Sequence, residues 1–184
     1  YNHITICPDG EIAVDSPGVG VPFGQTGPRP QPFRTNDLGH IDKDGFLFIE
    51  GRKDSLFKTS TGLRVAPTMI EEYLSGIIGI ENAVVMGAGR KLLIAVISSA
   101  LDPEVLRAEV GKVNQDLPSK YRVCGIVQTK AYFGSIPGLT TPNLKVKRKA
   151  VEEFYLRDIN SLYEALDRVD SKETPPEDPL IRLV

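Results

Sequence analysis

Residues able to do chemistry are concentrated in three short segments of the sequence: Arg34–Gly39, Gly51–Gly62 and Leu139–Arg148. The first offers the carboxylate of Asp37, the second the guanidinium of Arg52, and the third the ammonium of Lys145. A carboxylate can accept hydrogen bonds from two adjacent hydroxyl groups, and a guanidinium presents a planar fork of donors. An ammonium held in position can stabilise negative charge that develops during a reaction.

The order and spacing of these segments resemble the adenylate-forming superfamily, which includes acyl-CoA synthetases, luciferases and the adenylation domains of peptide synthetases. Thr35–Leu38 is similar to the superfamily's Thr-Gly-Asp-Leu element, and Gly51–Gly62 to its Gly-Arg pair and the Lys-Thr-Ser-Gly-Gly segment that follows. Leu139–Arg148 resembles the Thr-Pro-Thr-Leu-Lys-Leu-Lys-Arg segment of long-chain fatty acyl-CoA synthetases. The resemblance extends from about Asp9 to Leu166 and indicates the C-terminal portion of such an AMP-binding enzyme.

The resemblance implies a role for each of the three charged groups. Asp37 would bind the ribose hydroxyls of ATP. Arg52 would add a contact to the ribose or phosphate side and would lie near Asp37 if the intervening hairpin folds back. Lys145 would be the catalytic lysine. Attack of a carboxylate on the α-phosphate of ATP brings two anions together, so a positioned ammonium is a natural stabiliser of that step.

The resemblance also implies a moving part. Asp54 would be the hinge about which a C-terminal domain rotates between adenylate formation and thioester formation. Thr61 and Gly62 would border the channel for the pantetheine arm of CoA. Thr61 stands where the family has Gly, so its β-branched side chain could narrow that channel. Asn36 also replaces a Gly, but Asn tolerates left-handed backbone angles better than most residues.

Each of these residues has a purely structural interpretation as well. Asp37 could cap a turn, Arg52 could form a surface ion pair, and Asp54 could belong to an ordinary turn. Lys145 could be one member of a basic surface run that continues to Lys149. Such a run can attract RNA or acidic lipid, but this one lacks interleaved aromatic residues. We therefore expect no nucleic-acid partner.

Hydrophobic periodicity and turn signals predict the elements that position these residues. Residues 1–51 read as β hairpins, which the resemblance assigns to the end of a large N-terminal domain. Residues 52–168 read as an α+β fold, a small mixed sheet with packed helices, which the resemblance equates with the mobile C-terminal domain. Residues 16–32 are rich in Gly and Pro and are predicted to form a long loop. Residues 169–184 have few apolar groups and are predicted to be a flexible tail.

Individual elements are predicted within the α+β part. They are, in chain order, a hairpin around Thr61-Gly62, a helix from Pro67 to Gly76 or Gly79, a hairpin of strands 83–86 and 92–97, a helix capped by Asp102 and ended by Pro118, a strand or strand pair over 121–133, and further helix over 151–169.

Bulk composition excludes several classes of protein. The chain has 184 residues and a formal net charge of -2, so it carries no global field for nucleic acid or an anionic membrane. Its longest apolar run, 92–101, is well short of the ~20 residues that span a bilayer. Cys7 and Cys124 are far apart in sequence and favour two thiols in a reducing cytoplasm, with a disulfide as the alternative.

The resemblance implies an enzyme that uses ATP and Mg²⁺ to adenylate a fatty acid and passes the acyl group to CoA. The family's phosphate loop, adenine site and acyl tunnel have no counterpart in this sequence, so we expect an N-terminal domain as the partner of this chain. The isolated chain is expected to be inactive. Transfer to an acyl carrier protein, release of the acyl-adenylate, and a non-catalytic interaction module of the same fold are the alternatives.

Overall fold

A computed structural model describes residues 3–20, 32–169 and 179–184. The chain forms two compact units, Tyr1–Leu56 and Phe57–Val184.

The described residues of the first unit form a four-stranded antiparallel sheet. Its strands, in both chain order and sheet order, are β1 (His3–Ile6), β2 (Glu11–Asp15), β3 (Phe33–Ile41) and β4 (Leu47–Arg52). The predicted hairpins β1–β2 and β3–β4 are confirmed. Gly45, at φ +88°, closes the turn between β3 and β4, where Asp42 Oδ1 accepts a hydrogen bond from the amide of Phe46 at 2.8 Å. The predicted 16–32 loop falls largely on residues 21–31, which lie outside the described residues.

The boundary of this unit lies after Leu56, and not after Gly51 as the sequence suggested. A 3-10 turn, Lys53–Ser55, follows β4 directly. The ammonium of Lys53 lies 2.8 Å from Asp9 and 3.0 Å from Glu11, both in the first unit. These ion pairs join the turn to the sheet.

Within residues 57–169 and 179–184, the second unit combines a mixed sheet with four helices, as the predicted α+β class requires. Its elements are β5 (Phe57–Lys58), β6 (Arg64–Val65), α1 (Pro67–Ser75), β7 (Ile80–Met86), β8 (Leu93–Ser99), α2 (Pro103–Asp116), β9 (Val123–Thr129), α3 (Arg148–Phe154), α4 (Leu156–Val169) and β10 (Leu180–Leu183). The main sheet has the order β10-β9-β8-β7; β7 is antiparallel to β8, and β8, β9 and β10 are parallel. Strands β5 and β6 form a separate antiparallel pair.

Strand β8 separates two hydrophobic cores. Ile94 and Val96 face a core that α3 and α4 complete, whereas Leu93, Ala95 and Ile97 face a core that α1 and α2 complete. All seven residues of β8 are buried. A strand covered on both faces has no solvent side, which explains why 93–97 is continuously apolar instead of alternating.

Of the two alternatives predicted for residues 121–133, the single strand is confirmed: it is β9, flanked by 3-10 turns. Two other predictions need correction. The predicted helical region over 151–169 is divided into α3 and α4 at Tyr155. The prediction of a flexible tail is wrong for Leu180–Leu183, because all four of these residues pair with β9. Leu180 and Ile181 pack on opposite cores, so this short apolar run gains from joining the sheet.

Candidate active site

Asp37 and Arg52 lie directly opposite each other on β3 and β4. Arg52 Nη1 is 3.5 Å from Asp37 Oδ1, and the Asp37 side chain is 33% exposed. The predicted proximity of the two residues is therefore confirmed. Because the ion pair is long and the carboxylate is partly exposed, Asp37 keeps acceptor capacity for the hydroxyl groups of a ligand.

Arg52 also contacts the predicted hinge residue. Its Nε and Nη2 atoms donate to the two carboxylate oxygens of Asp54 at 3.4 and 3.5 Å. This hydrogen bonding raises the pKa of Arg52 and lowers the pKa of Asp54. One guanidinium thus joins the predicted ribose ligand to the predicted hinge.

The backbone before Asp37 is held in an unusual conformation. Asn36 has φ +65°, so the tolerance of Asn for left-handed angles is used here. Its amide donates to Glu11 Oε1 at 2.9 Å. The amide of Asp37 donates to Thr35 Oγ1 at 3.1 Å, and the Thr35 hydroxyl donates to the carbonyl of Ile12 at 2.9 Å. The position of Asp37 is therefore fixed from β2.

Glu11 is the centre of an ion-pair network that sequence reasoning missed. Glu11 Oε2 accepts hydrogen bonds from Arg34 Nη2 at 2.6 Å and from Lys53 at 3.0 Å, and its side chain is only 6% exposed. Both cations also bind Asp9. Hydrogen bonds from Arg34 and then Lys53 lower the pKa of Glu11 to about 2, and the bond from Lys53 does most to lower that of Asp9 to about 2. The partners are distant in sequence, so no local sequence pattern predicts the network.

Lys145 lies near the tip of a narrow hairpin in the second unit. Thr140 and Val146 form an antiparallel bridge, and the amide of Lys147 donates to the carbonyl of Leu139 at 2.8 Å. Thr141 engages both backbone groups of Lys145: its amide donates to the Lys145 carbonyl at 2.8 Å, and its hydroxyl accepts from the Lys145 amide at 3.1 Å. The Lys145 side chain is exposed, and among the described residues its ammonium has no partner.

Leu144 gives this hairpin its tight turn. It has φ +59°, a left-handed conformation that costs a residue with a Cβ about 1–2 kcal/mol. Strain of this kind persists only where the surroundings enforce it, and it is common at functional sites. The residue type gave no signal for this conformation, since Leu is not a turn former.

Arg148, at the start of α3, departs from the predicted basic surface run. Its Nη1 and Nη2 atoms donate to the two carboxylate oxygens of Glu71 at 2.6 and 2.9 Å, and Nη1 also donates to the carbonyl of Val85 at 2.7 Å. Lys149, the next residue, is exposed and lies 3.9 Å from Glu153. The run is therefore mixed, with one anchored cation among exposed ones.

Thr61 and Gly62 form the turn of the β5–β6 hairpin, as predicted. Gly62 has φ +87° and donates its amide to the carbonyl of Thr59 at 3.0 Å. The hydroxyl of Thr61 lies 2.9 Å from that of Thr59, so this side chain is hydrogen-bonded within its own hairpin. Two backbone bonds, from Ser60 to Arg90 and from Gly89 to Lys58, attach the hairpin to the turn between β7 and β8.

The structure thus groups the predicted residues by unit. Asp37, Arg52 and Asp54 form one contiguous cluster in the first unit. Thr61 and Gly62 lie on one hairpin of the second unit, and Lys145 on another. Within residues 3–20, 32–169 and 179–184, no group of three His, Cys, Asp or Glu side chains is arranged to hold a metal ion.

Comparison with known proteins agrees with this arrangement. The profile of the family described as AMP-binding enzyme C-terminal domain matches residues 54–167, more than half of the chain. The chain belongs to this family. The AMP-binding enzyme C-terminal domain accounts for the second unit nearly in full, and the matched region contains Thr61, Gly62 and Lys145.

Known relatives and solved structures extend the match into the first unit. The chain is 31% identical to the long-chain-fatty-acid–CoA ligase FadD15 of Mycobacterium tuberculosis, over 88% of this chain and 32% of that protein. It is 30% identical to the chloroplastic long-chain-fatty-acid–[acyl-carrier-protein] ligase AEE15 of Arabidopsis thaliana, over 71% of this chain and 21% of that protein. The A domain of carboxylic acid reductase from Segniliparus rugosus, solved with AMP and a carboxylic acid, shares the fold: TM-score 0.69, 17% identity, 90% of this chain and 32% of that one.

These coverages show that the chain spans only part of its relatives. In the mycobacterial ligase it corresponds to 32% of the length. None of the helices in the described part of the chain is both long and apolar enough to cross a membrane.

Proposed function

We propose that this chain is the C-terminal part of an ATP-dependent acid–thiol ligase, which converts a long-chain fatty acid into an acyl-adenylate and then transfers the acyl group to CoA. The observation that carries the proposal is the geometry of Lys145. Its backbone is bound on both sides by Thr141, while its ammonium projects into solvent without a partner among the described residues. A cation whose backbone is held and whose charge is unpaired is suited to stabilising charge that appears only during a reaction.

The nucleotide would be held in part by the first unit. Asp37 offers acceptors for the ribose hydroxyls of ATP, and the adjacent Arg52 offers donors. We assign the phosphates, the Mg²⁺ ion, the adenine and the acyl chain to the N-terminal domain of the full-length enzyme. ATP bound there supplies the electrophilic α-phosphorus. Lys145 of this chain would stabilise the charge built up as the fatty-acid carboxylate attacks that phosphorus and pyrophosphate leaves.

The second half of the reaction would use the β5–β6 hairpin. Gly62 and Thr61 would border the pantetheine arm of CoA, and the bond between the two threonine hydroxyls keeps the Thr61 side chain folded onto Thr59. An acyl carrier protein is the alternative acceptor, because its thiol is carried on the same kind of arm and one relative is named as a ligase for it. We propose the cytoplasm as the location, where Cys7 and Cys124 stay as thiols.

ATP–pyrophosphate exchange driven by a panel of fatty acids tests the proposal in the full-length protein. Lys145→Ala is expected to lower the exchange rate about 100- to 1000-fold, the typical cost of removing one charge-stabilising donor. Lys149→Ala is the matched control, because Lys149 is an exposed lysine on the same segment with only a long contact to Glu153. That variant should exchange at the wild-type rate.

The outcomes separate the alternatives. Equal losses in the Lys145 and Lys149 variants would indicate a general basic surface and not a catalytic lysine. A folded wild-type protein without exchange for any acid would favour the non-catalytic interaction module. Product analysis with CoA and with an acyl carrier protein distinguishes the two acceptors.

A further inference from the structure

The hairpin that presents Lys145 needs external support. Its turn contains Leu144 in a left-handed conformation, which an unrestrained chain would leave for a lower-energy backbone. The hairpin itself contributes one β-bridge, between Thr140 and Val146, and a few turn hydrogen bonds. A two-stranded hairpin of this size is marginally stable alone.

Support comes from the residue at which the hairpin ends. Arg148 is the first residue of α3 and follows the returning strand directly. Its guanidinium makes a two-pronged ion pair with Glu71 of α1, at 2.6 and 2.9 Å. The Arg148 side chain is 33% exposed and that of Glu71 16%. Paired, partly buried charges of this geometry are stronger and more directional than surface ion pairs.

The same pair completes the edge of the main sheet. Among the described residues, strand β7 lies at one edge of the main sheet. Val85 is its next-to-last residue, and both backbone groups of Val85 bond to side chains instead of to β8. Glu71 Oε1 accepts a hydrogen bond from the Val85 amide at 2.7 Å, and Arg148 Nη1 donates to the Val85 carbonyl at 2.7 Å. The two side chains therefore take the place of a neighbouring strand. They connect α1, the sheet edge and the start of α3 in one rigid junction.

We propose that the Glu71–Arg148 pair is a positioning device for Lys145: it fixes the base of the hairpin to the sheet edge and thereby sets the location of the ammonium. This inference rests on the proposed role of Lys145. Neither residue is catalytic, because both act through the hairpin. A displacement of about 1 Å at a reacting group can lower a rate ~100-fold, so loss of the junction should be visible in kinetics.

The first test is kinetic and uses the full-length protein. Arg148→Lys keeps the charge but loses the fork, and it is expected to lower the maximal rate of ATP–pyrophosphate exchange about 10- to 100-fold. The KM for ATP should change less than about threefold, because the nucleotide contacts are intact. Glu71→Gln retains an acceptor for the Val85 amide, and it should show the same fall in maximal rate and the same small change in KM. Thermal unfolding confirms that both variants are folded.

A double-mutant cycle separates positioning from a general structural effect. In a Lys145→Ala background, Arg148→Lys should lower the remaining exchange by less than about twofold, since there is no ammonium left to place. An equal loss in both backgrounds would overturn the proposal. The rate of thioester formation from added acyl-adenylate should fall in Arg148→Lys by no more than it falls in Lys145→Ala.

Hydrogen exchange gives a readout that does not depend on activity. The amides of Lys145 and Lys147, bonded to Thr141 and Leu139, should exchange faster in Arg148→Lys than in the wild type. Arg182→Ala is the control, because it removes a 2.7 Å ion pair with Asp158 of similar burial elsewhere in the unit. If Lys145→Ala leaves activity intact, the proposed function fails. Unchanged hydrogen exchange of these two amides in Arg148→Lys would overturn the positioning role, whatever the activity result.

Discussion

At the scale of single residues, the first unit depends on one buried carboxylate. Glu11 accepts hydrogen bonds from the amide of Asn36 and from the side chains of Arg34 and Lys53. A carboxyl group can accept from all these donors only when it is ionised. The left-handed turn before Asp37 and the anchoring of the 3-10 turn therefore depend on the charge of one side chain.

This dependence predicts an acid-sensitive first unit. The pKa of Glu11 is lowered from 4.5 to about 2 and that of Asp9 from 3.8 to about 2. The unfolded chain therefore binds more protons than the folded chain between these values, so stability falls as the pH drops from about 4.5 towards 2. Above about pH 5 the contribution should be fully present. Hydrogen exchange of the Asn36 amide, followed from pH 6 downwards and corrected for intrinsic exchange, measures the loss.

Glu11→Gln provides the control for the acid sensitivity. The amide side chain keeps the size and one acceptor but carries no charge, so the variant should be less stable than the wild type at pH 7. The two proteins should approach the same stability as the pH falls towards 2, where Glu11 itself takes up a proton. A difference that stays constant over this range would contradict the assignment.

The candidate site residues could be proposed from sequence motifs, whereas the residues that hold them in place could not. Asp37 and Arg52 belong to motifs, and the hairpin turn between them predicted that they meet. Glu11 and Arg148 act through partners that are far away in sequence, Arg34 and Glu71, which local patterns do not connect. The left-handed conformation of Leu144 lies within the turn bonds that Thr141 makes to Leu144 and Lys145, and it contradicts the preference of the residue itself.

At the scale of elements, β10 is the informative case. A run of polar and proline residues precedes it, and four residues are too few for periodicity to reveal a strand. Its identity depends on the sheet: it adds parallel to β9, and Ile181 packs on the core formed with α1 and α2. In contrast, β7 and β8 were predictable because each is long, apolar and bounded by turn residues.

Substitution in β10 tests whether the strand is part of the fold. Ile181→Ala is expected to lower the free energy of unfolding by about 1–2 kcal/mol, less than for a fully buried residue because Ile181 is only partly covered. Leu183→Ala, two residues on and 61% exposed, should change it by less than about 0.5 kcal/mol. Urea unfolding followed by circular dichroism measures both. Equal, small effects would mean that the strand contributes nothing to stability.

At the scale of the whole molecule, the sequence pattern changes at the boundary between the two units. Short strands and glycine turns give way to alternating helices and strands, so the existence of two parts was visible in the sequence. The exact junction was not, because it depends on the ion pairs of Lys53 with Asp9 and Glu11. These contacts attach Lys53 to the first unit, and Phe57 already belongs to the second. Asp54 is therefore among the few residues available for a hinge.

The hinge hypothesis makes a prediction for Asp54→Pro in the full-length protein. Proline fixes φ near −65° and disfavours the helical conformation of the preceding residue, so a backbone that must alternate between two states would be held in one. The hydrogen bond of the 3-10 turn, from the Leu56 amide to the Lys53 carbonyl, does not use the Asp54 amide. One half-reaction, adenylation or thioester formation, should fall more than about tenfold, while the other stays within about threefold.

Asp54→Ala separates the backbone effect from loss of the carboxylate. It breaks the bond to Arg52 but leaves the dihedral angles free, so both half-reactions should remain within about threefold of the wild type. If the alanine variant reproduced the proline result, Asp54 would act through its contact with Arg52 and not as a pivot. If both half-reactions fell together in the proline variant, rotation at this residue would not be what separates the two steps.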